Sequence, residues 1–350
     1  MKLAEVRIGY AGYSPDFSVP GDRRRFPAYA RMKGLQVQQA EPTEPSDLAY
    51  VTYTSDLPGW IASTQRDGDR FKMVFELIDS YLAQTSPVRR LLKGSGRFAL
   101  GTDSRLSPDF RRTLIRACEA ADAVICSTEE QAERIRPHNP NVFLSFDWFG
   151  DDIGPPKSDY RRGEKLRIVW EGQSTTLKHL QSIREVINQV HDNVELHVVT
   201  DPLVYRYFGR FLPHSAKELL RGFKCDVHFH PWARDTFWKH VIEADLAVIP
   251  IDSSDEFAQG KPENKLIMLW QLGMPVLTSD TPAYRRAMAG AGLDMLCGGW
   301  REQLGQMIAA PDSKREQIGR QGRAYAERAY SREEFVARFD RVLESVGLEV

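Results

Sequence analysis

The chain has 350 residues, a length that favours two domains, because single hydrophobic cores stop growing at about 250–300 residues. Its formal net charge is −1, so no global basic surplus indicates a nucleic-acid partner. The four cysteines form no C-x-x-C pair, which disfavours a zinc site or a disulfide framework and suits a reducing compartment. No run of about 18 apolar residues is present, so no transmembrane helix is predicted.

Strand-like and helix-like segments alternate in the first half of the chain. Short apolar runs predict strands at Val6–Tyr10, Leu48–Tyr53, Phe71–Ile78 and Ala123–Cys126. The pattern of Phe110–Ala121 predicts an amphipathic helix, and a second helix follows the last strand with Ser127 or Thr128 as its cap. The Gly-, Pro- and charge-rich stretch Gly150–Lys165 then predicts an interdomain linker.

The alternation resumes after this linker. Strands are predicted at Leu166–Trp170, Val194–Thr200, Asp226–His230, Asp245–Ile251 and Pro275–Ser279. Helices are predicted at Leu177–Val190, as a long stretch after Thr200 up to Arg221, at Phe237–Ala244 and at Lys265–Leu272. Strands that alternate with helices predict parallel sheets with helices on both faces. The expected fold class is therefore α/β, with two Rossmann-like domains.

The final part of the chain, from Asp312 onward, is predicted to be helical and charged. Its last segment carries apolar residues at helical spacing, namely Phe335, Val336, Phe339, Val342, Leu343 and Val346. One face of this last helix is therefore expected to pack on another part of the protein.

The stretch GKPENKLIMLWQLGMPVL, Gly260–Leu277, has two lysines at the start of an apolar helix. Lys261 and Lys265 flank Asn264, where the helix is predicted to begin after the strand DLAVIPI. In doubly wound folds, ligands bind beyond the carboxyl ends of strands, and helix N-termini there offer amide donors to anions. The stretch predicts either an anion site or a surface helix with solvated lysines.

A second loop, WEGQSTTLKHL at Trp170–Leu180, has a similar form. Gly172 lets a ligand approach the backbone, a hydroxyl within 174–176 can cap the helix, and Lys178 follows early in that helix. An ordinary strand-to-helix turn is the alternative interpretation. Two such loops in one domain favour a phosphate-bearing ligand, although neither is a G-x-G-x-x-G fingerprint or a P-loop.

These stretches resemble the GT-B glycosyltransferases. GKPENKLIMLWQLGMPVLTSD resembles their donor-nucleotide motif, in the form K-x-x-x-K-L…G-x-P-V, and WEGQSTTLKHL resembles the opening of their C-terminal domain. EAADAVICSTEEQAERI resembles the last strand–helix unit of their N-terminal domain. The resemblance implies two Rossmann-like domains that face each other across a cleft. It implies an acceptor domain at 1–155, a donor domain at 160–330, and a helix at 331–350 that packs back on the first domain.

The resemblance also implies an activity. A hexosyltransferase would move a sugar from a nucleoside-diphosphate sugar to a glycan, lipid-linked or other hydroxyl acceptor in polysaccharide and cell-envelope synthesis, with no metal and no other cofactor. Lys178 and Lys265 would face the diphosphate and offset the charge of the leaving nucleotide. The implied donor-binding residues are Gly172, Gln173, Ser174, Lys178, Lys261, Glu263, Asn264 and Lys265.

The chain departs from the family pattern at two points. Many relatives carry two glutamates separated by seven residues before G-x-P-V, and in that register this chain has Gly260 and Met268. Asp255 and Glu263 have the right separation but lie five residues too early, and Gln173 replaces an arginine that often follows the loop glycine. Two alternatives therefore stay open: a nucleotide-sugar 2-epimerase and a non-catalytic protein that binds nucleotide or glycan as a partner subunit.

Two aspartates in the first half are candidate bases for an acceptor hydroxyl. Asp79 follows the strand FKMVFELI, where a helix-capping aspartate is the alternative, and Asp16 ends the first strand-to-helix loop, YAGYSPD. The same loop is predicted to bind the acceptor through Gly12, Tyr13 and Ser14.

Two basic clusters in the first half have two interpretations each. GDRRRF, Gly21–Phe26, and SPVRRLLKGSGRF, Ser86–Phe98, predict either solvated surface or docking on anionic lipids. A cytoplasmic protein is expected, and peripheral contact with the inner face of the membrane is the further interpretation.

Overall fold

The computed structural model describes residues 2–67, 71–84, 86–150, 152–207, 211–252 and 256–350. The chain forms two compact units. Unit 1 comprises Met1–Trp148, Gly260–Pro262 and Arg332–Val350, and unit 2 comprises Phe149–Gln259 and Glu263–Ser331.

Each unit is built on a six-stranded sheet in which all strand pairs are parallel. The strand order is β2-β1-β3-β4-β5-β6 in unit 1 and β11-β8-β7-β12-β13-β14 in unit 2. The strands of unit 1 are β1 (Ile8–Ala11), β2 (Val37–Gln39), β3 (Leu48–Thr52), β4 (Lys72–Glu76), β5 (Ala123–Cys126) and β6 (Val142–Leu144). Those of unit 2 are β7 (Leu166–Glu171), β8 (Val194–Thr200), β9 (Leu203–Tyr207), β10 (Phe211–Ser215), β11 (Asp226–Pro231), β12 (Leu246–Ile249), β13 (Val276–Ser279) and β14 (Leu296–Cys297).

Helices connect most of these strands, as parallel pairing requires. The first six are α1 (Pro20–Arg23), α2 (Phe26–Lys33), α3 (Leu57–Asp67), α4 (Pro87–Ala99), α5 (Phe110–Ala120) and α6 (Glu129–Ile135). The next six are α7 (Leu177–Ser182), α8 (Arg184–Gln189), α9 (Ala216–Leu219), α10 (Phe237–Glu243), α11 (Glu256–Gln259) and α12 (Asn264–Gln271). The last four are α13 (Pro282–Ala291), α14 (Trp300–Ala309), α15 (Asp312–Ala329) and α16 (Arg332–Ser345).

The inner strands of both sheets are covered on both faces. Every residue of β3, β5, β12 and β13 is buried, which explains why these strands are continuous apolar runs in the sequence. Helix α5 starts where Asp109 accepts from two backbone amides, and α6 starts where Thr128 accepts from the amide of Gln131. Local capping and buried strands together set the alternation that the sequence predicted.

The C-terminal helix α16 packs on α2 of unit 1. The Phe339 ring stacks on the Tyr29 ring with centroids 5.1 Å apart, and the Tyr29 hydroxyl donates to Asp340 Oδ1 at 2.7 Å. Phe335, Phe339, Val342 and Leu343 are buried along the helix, as their spacing predicted. The apolar face therefore explains why the end of the chain belongs to unit 1.

One predicted element is wrong. The stretch from Thr200 to Arg221 was expected to be a long helix, but it contains the antiparallel hairpin β9–β10, followed by the short α9. Aromatic and β-branched residues favour strands, and Pro213 cannot donate a helical hydrogen bond. The predicted helix Leu177–Val190 is also divided, into α7 and α8, with Ile183 between them.

The composition led to one expectation about the cysteines and one about membrane-spanning helices. All four cysteines are free and buried, and burial raises the pKa of the Cys118 and Cys126 thiols to about 12. Such thiols stay protonated and unreactive at neutral pH. Within the described ranges, no helix is both long enough and apolar enough to cross a membrane.

Candidate active site

The two loops singled out in the sequence of the second half follow neighbouring strands. β7 pairs with β12 at the centre of the sheet of unit 2. The chain continues from β7 towards β8 and β11, and from β12 towards β13 and β14, so the strand order reverses between them. The carboxyl ends of strands at such a reversal are the usual ligand position in doubly wound folds.

Lys265 reaches from the first turn of α12 to the carboxyl end of β7. Its Nζ donates to the carbonyl oxygen of Glu171 at 2.5 Å and lies 5.1 Å from the centroid of the Trp170 ring. A Cβ atom at Gly172 would collide with this ammonium group, so a larger residue there would require the lysine side chain to move. The structure thus brings together Gly172 and Lys265, which were predicted from separate stretches of sequence.

The loop after β7 is held by hydrogen bonds to the neighbouring strand and its extension. Thr200 Oγ1 donates to the Gly172 carbonyl at 2.6 Å, and the Gly172 amide donates to the Val199 carbonyl at 3.2 Å. The buried Ser174 hydroxyl donates to the Leu203 carbonyl at 2.7 Å. These bonds fix the backbone of the loop before any ligand binds.

The expected hydroxyl cap of the helix after this loop is not formed. Thr176 is the N-cap residue of α7, but its hydroxyl donates backwards to the Gln173 carbonyl at 2.7 Å and accepts no amide of the helix. Gln173 and Lys178 are both exposed, Lys178 on the first turn of α7.

The other predicted donor-binding residues lie at the start of α12 and just before it. Asn264 is the first residue of the helix, and Glu263 is its N-cap. Glu263 Oε1 accepts from the Tyr330 hydroxyl at 2.5 Å. Lys261 lies in the segment Gly260–Pro262 of unit 1, and Asp255 lies outside the described residues.

Two polar residues that sequence reasoning missed hold the chain after β12. His179 is buried on α7, and its Nδ1 accepts from the Asp252 amide at 3.2 Å. The Ser279 hydroxyl accepts from the Ile251 amide at 2.8 Å and donates to the Ile251 carbonyl at 3.0 Å. A histidine directly after Lys178 in an otherwise apolar turn was the available signal.

In unit 1, Asp79 belongs to a cluster of aromatic and basic side chains. Its Oδ2 accepts from the Tyr53 hydroxyl at 2.5 Å, and the next helical turn, Tyr81–Ala83, is not capped by a side chain. Lys93 Nζ lies 3.2 Å from the Tyr81 ring centroid. Burial lowers the pKa of Lys93 to about 7, against an opposing effect of the Asp79 charge. Asp79 therefore accepts a hydrogen bond from the Tyr53 hydroxyl. The alternative interpretation expected it to accept from a backbone amide at the start of the next helix.

Asp16 has different surroundings. It is exposed, and its Oδ1 accepts from the Ser18 amide at 3.2 Å. Hydrogen bonding from Ser18 lowers the pKa of the Asp16 carboxyl. A lower pKa makes a carboxylate a weaker base, which disfavours Asp16 as a general base.

The three predicted acceptor-binding residues are tied to buried carboxylates. Asp22 accepts from the Tyr13 amide at 2.8 Å and from the Ser14 hydroxyl at 2.7 Å, and the Tyr13 hydroxyl donates to Glu76 Oε1 at 2.8 Å. A Cβ at Gly12 would lie 2.7 Å from Asp22 Oδ1. The group that closely approaches the backbone at Gly12 is therefore the carboxylate of Asp22, which belongs to the protein itself.

A buried ion-pair network that the sequence did not predict lies beneath this loop. Arg25 is fully buried, and its guanidinium donates to Glu76 at 2.8 Å and to Asp147 at 2.9 Å. The Tyr50 hydroxyl donates to Glu76 Oε2 at 2.6 Å. The cluster GDRRRF is thus not an open basic patch, because its last arginine is internal. The only sequence signal was a glutamate inside the apolar run FKMVFELI.

No family model matches the sequence, and no curated protein is significantly similar to it. Among solved structures, the chain is similar to Anabaena HepE in complex with UDP and glucose, with a TM-score of 0.63 and 12% identity over 97% of this chain and 100% of that chain. It is similar to TarM, with a TM-score of 0.58 and 11% identity over 84% of this chain. The chain spans 54% of the length of TarM.

A third similar structure is an α,α-trehalose-phosphate synthase (UDP-forming) from Burkholderia vietnamiensis. The TM-score is 0.52, with 11% identity over 88% of this chain and 72% of that chain. Together with the two parallel six-stranded sheets, these similarities confirm the predicted fold class, a two-domain α/β fold of the GT-B type.

Proposed function

We propose that the protein is a glycosyltransferase that moves a sugar from a nucleoside-diphosphate sugar to a hydroxyl group of an acceptor. The observation that carries this proposal is the meeting of Lys265 and the Gly172 loop at the strand reversal of unit 2. An ammonium group beside a glycine backbone and a helix start suits a diphosphate. HepE was solved with UDP and glucose, and TarM with UDP and glycans, so uridine diphosphate is the first nucleotide to test.

Lys265 has the central role at the donor. Its ammonium would shift from the Glu171 carbonyl to the diphosphate and offset the charge that develops as the nucleotide leaves. The first amides of α12 have no acceptor within the helix, and helix starts of this kind bind anions. We assign the exposed Lys178 and Gln173, with Ser174, Lys261 and Asn264, to the same nucleotide. Glu263, held by Tyr330, is assigned to the ribose hydroxyls.

The residues proposed for the acceptor lie in unit 1. Asp79 would take the proton of the acceptor hydroxyl while the Tyr53 phenol holds one of its oxygens. Lys93 adds a positive charge beside this carboxylate when protonated. Gly12, Tyr13 and Ser14, held by Asp22, would form the wall of the acceptor site. Because TarM has been solved with glycans, a glycan is the acceptor class that we propose.

An assay of sugar transfer tests this proposal. The purified chain is incubated with UDP-, GDP- and ADP-sugars and a panel of glycan acceptors, with and without EDTA, and the products are analysed by mass spectrometry. We expect transfer from one donor class that EDTA leaves unchanged, since lysines meet the charge of the leaving group. No turnover of any donor, together with no nucleotide binding, would overturn the proposal.

One feature favours a second candidate, a non-catalytic binding protein. The position of one family glutamate is occupied by Met268, which is buried in α12, and that of the other by Gly260, whose carbonyl accepts from Ser80 at 2.8 Å. Tight nucleotide binding without turnover on any acceptor would support this candidate. Inversion at the sugar C2, detected by NMR, would instead identify a 2-epimerase.

A second part of the proposal concerns α4, which is oriented with its apolar face outward. Val88, Leu91 and Leu92 keep 64%, 53% and 60% of their surface exposed. The charged face packs inward, where Arg97 pairs with Asp103 at 2.6 Å. An outward apolar face on a helix is unusual for a free surface and indicates a binding partner.

The charges around this face favour an anionic lipid bilayer. Phe98, Leu100 and Leu106 extend the exposed apolar surface. Among the charged residues between 86 and 116, Arg89, Arg105, Arg112 and Arg116 are exposed, and Asp109, with 47% of its side chain exposed, pairs with Arg90. An exposed apolar helix face with a basic residue such as Arg89 on the same helix has the chemistry of an interfacial membrane helix.

Vesicle sedimentation tests the membrane proposal. The protein should bind vesicles that contain phosphatidylglycerol more strongly than vesicles of phosphatidylcholine alone, and salt should weaken the binding. The double variant Leu91→Ser, Leu92→Ser should lose binding, while Leu203→Ser, at an exposed leucine of unit 2, should not. Absence of vesicle binding, or a dimer in light scattering that the double variant abolishes, would overturn the bilayer as the partner.

A further inference from the structure

A group of histidines lies on one face of the sheet of unit 2. His197 of β8 is paired in register with His228 of β11, and Glu195 is paired with Asp226. Because side chains alternate along a strand, these four residues and His230 share one face. The His197 ring stacks on His228 with centroids 4.7 Å apart and on His230 at 5.2 Å. β11 is the edge strand, so this face is reached from the edge of the sheet.

Three of these side chains direct metal-ligand atoms towards one another. The donor atoms of Glu195, His197 and His228 all lie within 4.8 Å of one another. His197 Nε2 is 3.5 Å from Glu195 Oε1, and His228 Nε2 is 3.8 Å from Glu195 Oε2. Tetrahedral ligands with metal bonds of about 2.0–2.1 Å are separated by about 3.4 Å, so small side-chain rotations would suffice.

The surroundings of the His197 Nε2 atom also suit a metal ligand. It is buried and has no hydrogen-bond partner among the described residues, while His197 Nδ1 lies 3.0 Å from His230 Nε2. When Nδ1 donates its proton to His230, the lone pair of Nε2 faces the Glu195 carboxylate. Two such acceptors repel each other unless a proton or a cation lies between them. A histidine whose other ring nitrogen is hydrogen-bonded is typical of metal sites.

A hydrogen bond from Arg167 also orients the Glu195 carboxylate. Arg167 Nε donates to Glu195 Oε1 at 2.7 Å. Ligating carboxylates usually have such hydrogen-bond donors in their outer sphere. Glu195 is therefore fixed with its second oxygen on the side of His228.

We propose that Glu195, His197 and His228 bind one divalent transition-metal ion of the zinc class, with water as the fourth ligand. Two imidazole nitrogens and one carboxylate oxygen suit zinc, cobalt or nickel better than magnesium or calcium. The ion would join the edge strand β11 to β8 and stabilise the fold, because it binds the folded chain. Glu195 lies near the amino end of β8, whereas Gly172 follows the carboxyl end of β7, so this site is separate from the proposed donor site.

Cobalt(II) is the probe, because its visible absorption reports tetrahedral coordination. The untagged full chain is stripped with a chelator, dialysed and titrated with cobalt and then zinc, with binding followed by absorbance and calorimetry. We expect one cobalt ion per chain, a visible absorption band that zinc abolishes, and a higher melting temperature with zinc. No binding at micromolar metal, or no shift of the melting temperature, would overturn the proposal.

Ligand variants identify the site independently of any sugar transfer. His228→Gln, at an exposed position, and Glu195→Gln should each weaken zinc binding by about tenfold or more and remove the thermal shift. His138→Gln in unit 1 is the matched control and should leave both unchanged. Zinc affinity that is equal in His228→Gln and the wild type would also overturn the proposal, because it would locate the ion elsewhere.

Discussion

The two units have the same strand reversal but opposite chemistry at the carboxyl ends of their strands. In unit 2 the reversal between β7 and β12 presents the ammonium of Lys265 beside a glycine loop. In unit 1 the reversal between β1 and β3 is lined by carboxylates and phenols, with Asp22 bonded to the loop after β1 and Tyr53 to Asp79. Under the proposed function, these cations would meet a diphosphate and these carboxylates would meet a hydroxyl group.

The units also differ in the burial and the hydrogen-bond partners of their charged side chains. The Gly172 loop is fixed by hydrogen bonds to a backbone carbonyl and a hydroxyl, and the ammonium group of Lys265 donates to the Glu171 carbonyl beside it. Around the first loop of unit 1, the buried Arg25 pairs with the buried Glu76 and with the partly buried Asp147. Asp79, which is half-buried, is the acidic group that the proposed function uses.

The largest expected effect is a fall in the rate of sugar transfer when Asp79 is replaced. Asp79→Asn should lower the rate of sugar transfer by about 10²–10⁴-fold, because a general base in this position contributes that much. Nucleotide affinity should stay unchanged, since Asp79 belongs to the acceptor side. Steady-state kinetics with the donor identified by the transfer assay measure both, with Asp16→Asn as control. A similar fall in the two variants would contradict the assignment of the base.

The next effect concerns stability and tests the internal pairs of unit 1. Arg25→Met leaves the buried Glu76 without its cation and should destabilise the protein by about 3–5 kcal/mol. Urea unfolding followed by fluorescence measures this loss. Arg7→Met removes the exposed pair with Asp47 and should change the unfolding midpoint little. Equal losses in both variants would show that burial does not distinguish these pairs.

A change of about tenfold in UDP affinity is expected for a substitution at Gly172 of unit 2. Gly172→Ala places a Cβ atom where Lys265 Nζ lies, so it should displace the ammonium and weaken UDP binding to that extent. Calorimetry on the single and double variants measures the coupling. Because both changes remove one interaction, Gly172→Ala with Lys265→Ala should cost little more than either alone. Fully additive losses would mean that the two residues act separately.

The last effect is a pH dependence of stability at Lys93, and its size changes with pH. Burial lowers its pKa to about 7 from the ordinary 10.5, with Asp79, Arg97, Tyr53 and Tyr81 facing it. The folded state therefore disfavours the charged form, and this penalty should be full below about pH 7 and vanish as the pH rises towards about 10.5. Lys93→Met removes the penalty.

Urea midpoints of Lys93→Met and the wild type at about pH 6, 8 and 10 measure this dependence. The advantage of the variant should be largest at the lowest pH and shrink as the pH rises. A difference that stays constant with pH would contradict the lowered pKa.

The adjacency of Gly172 and Lys265 could be predicted from the sequence, whereas the contacts around the first loop of unit 1 could not, for a physical reason. The loops that carry Gly172 and Lys265 each follow an apolar strand, and parallel strands bring their carboxyl ends to one edge. The partners of Arg25 lie 51 and 122 residues away, so no local pattern could reveal them. Similarly, the sequence left two interpretations of the basic cluster Ser86–Phe98, and it could not reveal that Arg97 pairs with the buried Asp103.

The central claim is that Lys265 binds the diphosphate of a nucleotide, and UDP calorimetry on matched variants tests it most directly. Lys265→Ala should weaken UDP binding about tenfold, since a charge-assisted hydrogen bond contributes about 1.5–3 kcal/mol. Lys224→Ala, at an exposed lysine of unit 2, should bind like the wild type. Equal affinity for UDP in a folded Lys265→Ala variant and the wild type would contradict the account.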